Sequence, residues 1–162
     1  MKPSLLERLN QKSASISRTH DAHKQALIVL WQSIERHLQQ LLNTRHGACA
    51  SQPSLGLPLV SPLSLQGDNP QARQLCQVIQ GQIERFEPRL TQAKIEIVNP
   101  INDTNAQQIR YRLSAYALTA QETWLLSYRI NIDGDGIFKV SLEASQSTGQ
   151  RSSNDTGLMV KL

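Results

Sequence analysis

The apolar positions of the chain follow a helical period in its first half and an alternating period in its second half. Between Asp21 and Asn43, apolar residues recur at three- and four-residue steps, which predicts a long helix with one buried face. A second helical pattern begins at Pro70, whose missing N–H is not needed in a first turn, and continues to Phe86. The sequence therefore predicts two main helices. The apolar positions of the first are Leu27, Leu30, Trp31, Ile34, Leu38, Leu41 and Leu42.

A short amphipathic segment precedes the long helix. Leu5, Leu6 and Leu9 share one side of residues 4–10, and a polar, serine-rich stretch from residue 11 to residue 19 follows. A helix this short is not stable alone in water, so its apolar side requires a surface that covers it. The pattern predicts a docking helix and linker over residues 1–19. The helix either docks on another chain or packs back on its own domain.

Pro88 marks the change from helical to strand periodicity. It has no N–H for a helical bond and it disfavours the helical conformation at Glu87, so the second helix is expected to end near Phe86. Glu87 and Arg89 flank this stiff joint, which gives two opposite charges fixed directions. The corner is predicted to hold a neighbouring loop or a partner. The alternative is a solvated corner, where an ion pair contributes about 0–1 kcal/mol.

Beyond the corner, apolar and polar residues alternate, which predicts strands. The first covers Thr91–Val98. The sequence Asp133-Gly134-Asp135-Gly136 predicts a hairpin turn before the last strand. It does not predict a calcium loop, because Ile137 and Ala144 stand where such a loop requires ligands. The inward residues of the later strands are Ile109, Tyr111, Leu113, Ala115 and Ala117, then Trp124, Leu126, Tyr128 and Ile130, then Phe138, Val140 and Leu142.

These elements predict an α+β fold. Two main helices and a short N-terminal helix pack on an antiparallel β-meander of about four strands. The domain is expected to cover residues 20–143, and the polar residues 144–162 are predicted to form a flexible tail. The leucine-rich loop from residue 48 to residue 67 is predicted to lie against the helices as ordered, extended chain.

Composition and charge exclude several classes of function. The net charge is +4, but the basic residues are scattered, so no dense Lys/Arg run predicts a nucleic-acid interface. Cys49 and Cys76 have no metal-ligand spacing, and no apolar run approaches the ~18 residues of a membrane span. We therefore expect no metal, no cofactor, no membrane insertion and a cytoplasmic setting. The four histidines are predicted to be solvated helix residues: His20, His23, His37 and His46.

The sequence contains no convincing catalytic pattern. Glycoside hydrolysis requires two carboxylates about 5–9.5 Å apart, and Glu87 is the only acid at a suggestive position. No Gly-x-Ser-x-Gly motif is present, and neither cysteine has a neighbour that implies activation. The prediction is a protein that is not an enzyme. The alternatives are a lysozyme-like cell-wall glycosidase with Glu87 as its acid and a basic nucleic-acid binder.

Four motifs in order resemble those of the TssE family, the baseplate components of type VI secretion systems, which are related to the wedge proteins of contractile phage baseplates. Members are often labelled lysozyme-like. The resemblance spans roughly residues 4 to 143. The motifs are Ser4-Leu5-Leu6-Glu7-Arg8-Leu9, His37-Leu38-Gln39-Gln40-Leu41-Leu42-Asn43-Thr44-Arg45-His46-Gly47, Leu55-Gly56-Leu57-Pro58 and Ile83-Glu84-Arg85-Phe86-Glu87-Pro88-Arg89-Leu90.

The resemblance implies a structural role in a cytoplasmic baseplate docked at the inner-membrane complex. Its implied partners are wedge proteins of the TssF, TssG and TssK types and sheath proteins of the TssB and TssC types. It implies that the C-terminal sheet starts sheath assembly by strand exchange. Outward cations are expected to steer an acidic sheath segment or to protect a sheet edge. The implied partner-binding residues are Glu87, Pro88, Arg89, Arg85, Leu5, Leu6 and Leu9, and the cations are Arg110, Arg112, Arg129 and Lys139.

Overall fold

Two helices and one four-stranded sheet make up the described part of the chain. The structure, a computed structural model, describes residues 5–61, 65, 70–98 and 110–149, with side chains from residue 19 onward. The α+β fold predicted from the periodicity is confirmed. The elements are α1 (Leu5–Asn43), α2 (Pro70–Phe86), β1 (Leu90–Val98), β2 (Arg110–Leu118), β3 (Thr123–Ile132) and β4 (Phe138–Ser147).

Helix α1 joins the short N-terminal helix and the long helix that the sequence predicts as separate elements. Residues 11–19, predicted to be a linker, are helical as well. They contain neither proline nor glycine, and serine is only slightly less favourable than alanine in a helix, so nothing in this stretch ends the helix. The side chains of Leu5, Leu6 and Leu9 lie outside the described part of the structure.

The sheet is an antiparallel meander with the strand order β1-β2-β3-β4, as predicted. One face is buried by the helices, and the predicted inward residues of β2 and β3 lie on it: Tyr111, Leu113, Ala115, Ala117, Leu126, Tyr128 and Ile130. Ile109 lies outside the described residues. The predicted hairpin turn between β3 and β4 is present, with the Asp133 carboxylate accepting the N–H groups of Asp135 and Ile137 at 3.1 and 2.9 Å.

Strand β4 continues to Ser147, beyond the domain boundary predicted at residue 143. Its last residues pair with the start of β3, where Ala144 faces Ser127 and Ser147 faces Trp124. These β4 residues are exposed, so their polar sequence gives no apolar alternation to reveal the strand. Residues 150–162 of the predicted tail lie outside the described part of the chain.

The loop after α1 is tied to the end of that helix. Leu57 N–H donates to the Thr44 carbonyl at 2.9 Å, and His46 N–H donates to the Leu57 carbonyl at 2.9 Å. Gly56 has a φ of +100°, which favours glycine, and its N–H donates to Gln82 Oε1 of α2 at 2.9 Å. Leu57 and Leu65 are buried. Two of the motifs in the sequence, the α1 end and the Gly-Leu-Pro loop, therefore meet and fix each other.

Candidate functional site

The Glu-Pro-Arg corner lies between α2 and β1. Glu87 N–H makes the last helical bond, to the Ile83 carbonyl at 2.8 Å. Helix α2 ends at Phe86, as Pro88 predicts, and β1 begins at Leu90. Leu90 N–H donates to the Glu87 carbonyl at 3.1 Å, so the turn is closed across Pro88 and Arg89. The backbone thus brings the side chains of Glu87 and Arg89 to one place.

The Glu87 carboxylate is the centre of a hydrogen-bonded network. Its side chain is 1% exposed. Arg89 binds it through two parallel bonds, Nε to Oε1 and Nη2 to Oε2, both at 2.7 Å. His37 Nδ1 of α1 donates to Oε2 at 2.6 Å. Arg89 Nη1 also donates to Ser33 Oγ of α1 at 3.0 Å, so the corner is fastened to α1 at two points.

The network keeps Glu87 ionised. Burial of the carboxyl raises its pKa, but the hydrogen bonds from Arg89 and His37 outweigh burial and hold the pKa below its usual value. The hydrogen bond to Glu87 in turn raises the pKa of Arg89. An ionised carboxylate only accepts hydrogen bonds, so the His37 ring presents its Nδ1–H to Glu87.

The corner presents Arg89 and His37 to solvent and keeps Glu87 inside. Side-chain exposure is 36% for Arg89 and 41% for His37, against 1% for Glu87. Glu87 itself does not reach the surface, because its oxygens are bound by Arg89 and His37, and its part in binding a partner stays a prediction. The prediction that His37 is simply a solvated helix residue is wrong. His37 is separated from Glu87 by 50 positions, and no local spacing reveals such a contact.

The exposed side of the corner continues along α1. Val29, Ser33 and His37 succeed one another at one helical turn, and Val29 is 56% exposed. Arg89 lies across Ser33, so an apolar side chain stands beside two fixed hydrogen-bond donors. We call the surface formed by Val29, Ser33, His37 and Arg89 the corner surface. Such a surface fits a partner segment that carries a carboxylate or a free carbonyl beside an apolar residue.

Pro88 and Arg85, the other predicted corner residues, are both exposed. The Arg85 guanidinium carbon lies 5.4 Å from the centroid of the Phe86 ring, the distance of a cation–π contact.

The predicted outward cations lie on the solvent-facing side of the sheet. Arg112 and Arg129 are cross-strand neighbours, and Glu143 of β4 binds both. Arg129 and Arg112 together hold the pKa of Glu143 below its usual value, although partial burial opposes them. Arg110 faces Asn131 on the same sheet, and Lys139 Nζ lies 3.4 Å from Asp133 Oδ2. Glu143 is a site residue that the sequence does not predict.

The described residues were also searched for metal sites and for membrane-spanning helices. No three His, Cys, Asp or Glu side chains within the described residues are placed to hold a metal ion. No helix among the described elements is long and apolar enough to span a membrane.

Comparison with known proteins shows the family to which the chain belongs. The model of a family described as "Baseplate wedge protein gp25" matches residues 29–121, more than half of the chain. The chain belongs to this family. The matched region of this gp25-family chain contains α1 from Val29 onward, the Gly56 loop, α2, the Glu-Pro-Arg corner, β1 and β2. The resemblance found in the sequence motifs is confirmed, and the gp25-family chain is a structural baseplate component.

One solved structure that the search matched to the gp25-family chain is titled "The baseplate complex from the type VI secretion system". It is 19% identical to the gp25-family chain, with a TM-score of 0.47, and the likeness covers 79% of this chain and 99% of that one. A likeness at this level supports no inference about function. No curated protein matches the sequence.

Proposed function

We propose that this gp25-family chain is a wedge component of a type VI secretion baseplate and holds neighbouring wedge subunits through the corner surface. One observation carries the proposal, namely that a buried carboxylate fixes two cationic or donor side chains at the surface. Burying an ionised group for stability alone is unfavourable unless it is fully paired. In this chain the pairing positions Arg89 and His37, so the arrangement is suited to recognition.

The N-terminal part of α1 supplies a second contact in this proposal. Side chains over residues 19–26 are exposed or half-buried, and the core begins only at Leu27. Residues 19–26 therefore extend past the core by about 12 Å at the rise of an α-helix, and the backbone of α1 begins further upstream, at Leu5. Leu5, Leu6 and Leu9 are proposed to dock this arm on a wedge protein of the TssF, TssG or TssK type. The assembly is proposed to lie in the cytoplasm against the inner-membrane complex.

In the same proposal, the sheet binds the sheath. An edge strand carries N–H and C=O groups that a strand of a TssB- or TssC-type sheath protein can pair with, which starts sheath assembly. Arg110, Arg112, Arg129 and Lys139 steer the acidic part of that segment toward the sheet. The role requires an unpaired edge, and β1 and β4 are the edge strands of the sheet.

Replacing Arg89 with alanine is expected to release the chain from the baseplate. The substitution removes the exposed guanidinium and lets His37 move, so at least one partner contact is lost. The measurement is the amount of wedge proteins that co-purify with the tagged chain, expected to fall about tenfold or more. Arg36→Ala is the matched control, because Arg36 is exposed on α1 but is not part of the corner surface.

Two results decide whether the corner surface binds the wedge proteins. A loss with Arg89→Ala but not with Arg36→Ala, in proteins that give the same circular dichroism spectrum, supports the corner surface as a binding site. Equal co-purification of both variants and the wild-type chain overturns it.

The glycosidase alternative does not agree with the geometry. A general acid requires a raised pKa, whereas the pKa of Glu87 is lowered and its oxygens are bound by Arg89 and His37. We expect no peptidoglycan hydrolysis by the purified chain, measured as the release of soluble fragments from labelled cell walls. Hydrolysis by the wild-type chain that disappears with Glu87→Gln would establish the enzyme instead.

A further inference from the structure

The hydrogen bond to Glu87 fixes which nitrogen of the His37 ring carries a proton. Nδ1 lies 2.6 Å from Glu87 Oε2, and an ionised carboxylate only accepts hydrogen bonds, so Nδ1 is the protonated nitrogen. A neutral imidazole has one N–H, so the second nitrogen, Nε2, is a hydrogen-bond acceptor while the ring is neutral. The buried acid therefore sets what the exposed side of the ring offers to a partner.

Nε2 of His37 is accessible and makes no hydrogen bond within the described residues. The His37 side chain is 41% exposed, and its bond to Glu87 uses Nδ1. The buried side-chain atoms without a partner in the described part of the chain are Tyr111 Oη, Trp124 Nε1 and Asn131 Oδ1, and Nε2 of His37 is not one of them. A ring nitrogen that is neither bonded nor buried can meet a partner group.

Arg89 presents hydrogen-bond donors beside this acceptor. An arginine has five side-chain N–H groups, and three of those of Arg89 are bonded, to the two Glu87 oxygens and to Ser33 Oγ. Arg89 Nη2 and His37 Nδ1 both lie within 2.7 Å of the same oxygen, Glu87 Oε2, so the two side chains are next to each other. The corner surface therefore offers the remaining N–H groups of Arg89 next to the Nε2 acceptor of His37.

The charges at the corner favour a neutral partner group. Glu87 is ionised and Arg89 already pairs with it through two bonds, so the pair carries no net charge. A partner carboxylate would bring a second negative charge to one guanidinium, and it would face the lone pair of His37 Nε2. Removing an ion from water is unfavourable unless the ion is fully paired. A neutral group that has one acceptor for Arg89 and one donor for His37 avoids both costs.

A carboxamide is a group of this kind. The side chain of asparagine or glutamine carries a carbonyl oxygen and an NH2 group on one carbon atom. A backbone amide has the same two groups, but those of a folded partner are nearly all bonded within its own helices and strands. The side-chain carboxamide therefore fits this surface better. Val29, one helical turn before Ser33 and 56% exposed, offers an apolar contact to the residue that carries it.

We propose that the corner surface recognises an Asn or Gln side chain of a wedge subunit and that His37 determines this specificity, an inference that rests on the proposed function. The carbonyl oxygen of the partner side chain accepts from Arg89, and its NH2 group donates to His37 Nε2. Glu87 acts on this contact through His37, because its bond to Nδ1 leaves the acceptor on the outer side of the ring. This narrows the partner group at the corner to a carboxamide.

Two substitutions at His37 separate its inner bond from its outer one. His37→Asn keeps an N–H for Glu87 and removes the outer nitrogen, so the melting temperature is expected to change little, while the co-purifying wedge proteins fall about tenfold. His37→Gln places a carbonyl oxygen near the position of Nε2 and weakens the bond to Glu87. It is expected to melt at a lower temperature and yet to co-purify about threefold more wedge protein than His37→Asn. Gln40→Asn, at an exposed position of α1 outside the corner surface, is the control for placing asparagine in this helix.

A photo-crosslinking residue, p-benzoylphenylalanine, in place of Val29 identifies the partner segment by mass spectrometry of the crosslinked complex. The crosslinked segment is expected to contain an Asn or Gln, and its replacement with the acid of the same shape, which removes the NH2 donor, is expected to lower co-purification about tenfold. A segment that contacts the corner through an Asp or Glu side chain, or through its backbone alone, overturns the carboxamide.

The remaining outcomes distinguish a failure of this inference from a failure of the proposed function. If His37 only stabilised the fold, binding would follow the melting temperature, and His37→Asn would bind better than His37→Gln. That order, or wild-type binding by both variants, overturns the role of His37 when Arg89→Ala still loses the wedge proteins. Wild-type binding by Arg89→Ala overturns the corner surface itself as the contact.

Discussion

Replacing Glu87 with glutamine is expected to lower the free energy of unfolding by about 1–3 kcal/mol at neutral pH, since it weakens two bonds from Arg89 and one from His37 to an ionised group. Urea denaturation followed by circular dichroism measures the change. Glu96→Gln is the matched control. It also removes one carboxylate from an ion pair, but Glu96 and its partner Lys94 are exposed, and we expect no measurable change.

The difference between wild type and Glu87→Gln is also expected to depend on pH. The folded pKa of Glu87 lies below the ordinary value of 4.5, so its contribution is fully present above that pH and is lost as the pH falls through the folded pKa. The two stability curves should therefore converge in acid. Curves that stay parallel from neutral pH into acid, or a glutamine variant as stable as wild type at neutral pH, would contradict the ionised network.

Replacing Gly56 with alanine is expected to lower the free energy of unfolding by about 2–4 kcal/mol, because two effects add. Its φ of +100° is unfavourable for any residue with a Cβ. A Cβ there would also lie 2.8 Å from the Arg45 carbonyl carbon, so the loop has to separate from the end of α1. Thermal unfolding of the purified chain measures the loss.

Gly81→Ala gives the opposite expectation and serves as the control. Gly81 lies in the middle of α2, and a Cβ on it would meet no atom within 4 Å. Alanine is expected to stabilise the helix by about 0.5–1 kcal/mol. If Gly56→Ala unfolds at the wild-type temperature, the contact between the Gly-Leu-Pro loop and α1 does not contribute to stability as described.

Stability and binding at the corner are coupled through Glu87, because the buried carboxylate holds the exposed side chains of Arg89 and His37. Glu87 is buried and acts by positioning Arg89 and His37, whereas Arg89 itself is more than one third exposed. A variant at Glu87 is therefore expected to change both folding and partner binding. Charge reversal at this position is a poor test of binding, since the outcome is dominated by the fold.

The sequence by itself determined the two main helices, the four strands and the position of the corner, but not where α1 begins or where β4 ends. Periodicity alone fixes which face of α1 and which residues of β2 and β3 are buried, since burial of apolar side chains follows local spacing. Pro88 ends α2 because its ring removes the backbone N–H and clashes with the preceding helical turn. The family resemblance likewise rests on motifs that are contiguous in the chain.

Only the tertiary structure decided what those motifs contact. The hydrogen bond between His37 and Glu87 joins positions that are far apart in the chain. The same is true of the bonds in which Glu35, Gln39 and Asn43 of α1 accept N–H groups of β4. No spacing rule links such positions, because their distance depends on how α1 packs on the sheet. The same packing buries the side chain of Glu87 and leaves residues 144–147 exposed to solvent, although neither position carries a large apolar side chain. The exposure of a polar side chain depends on which elements pack over it, and that packing is not encoded in the local sequence.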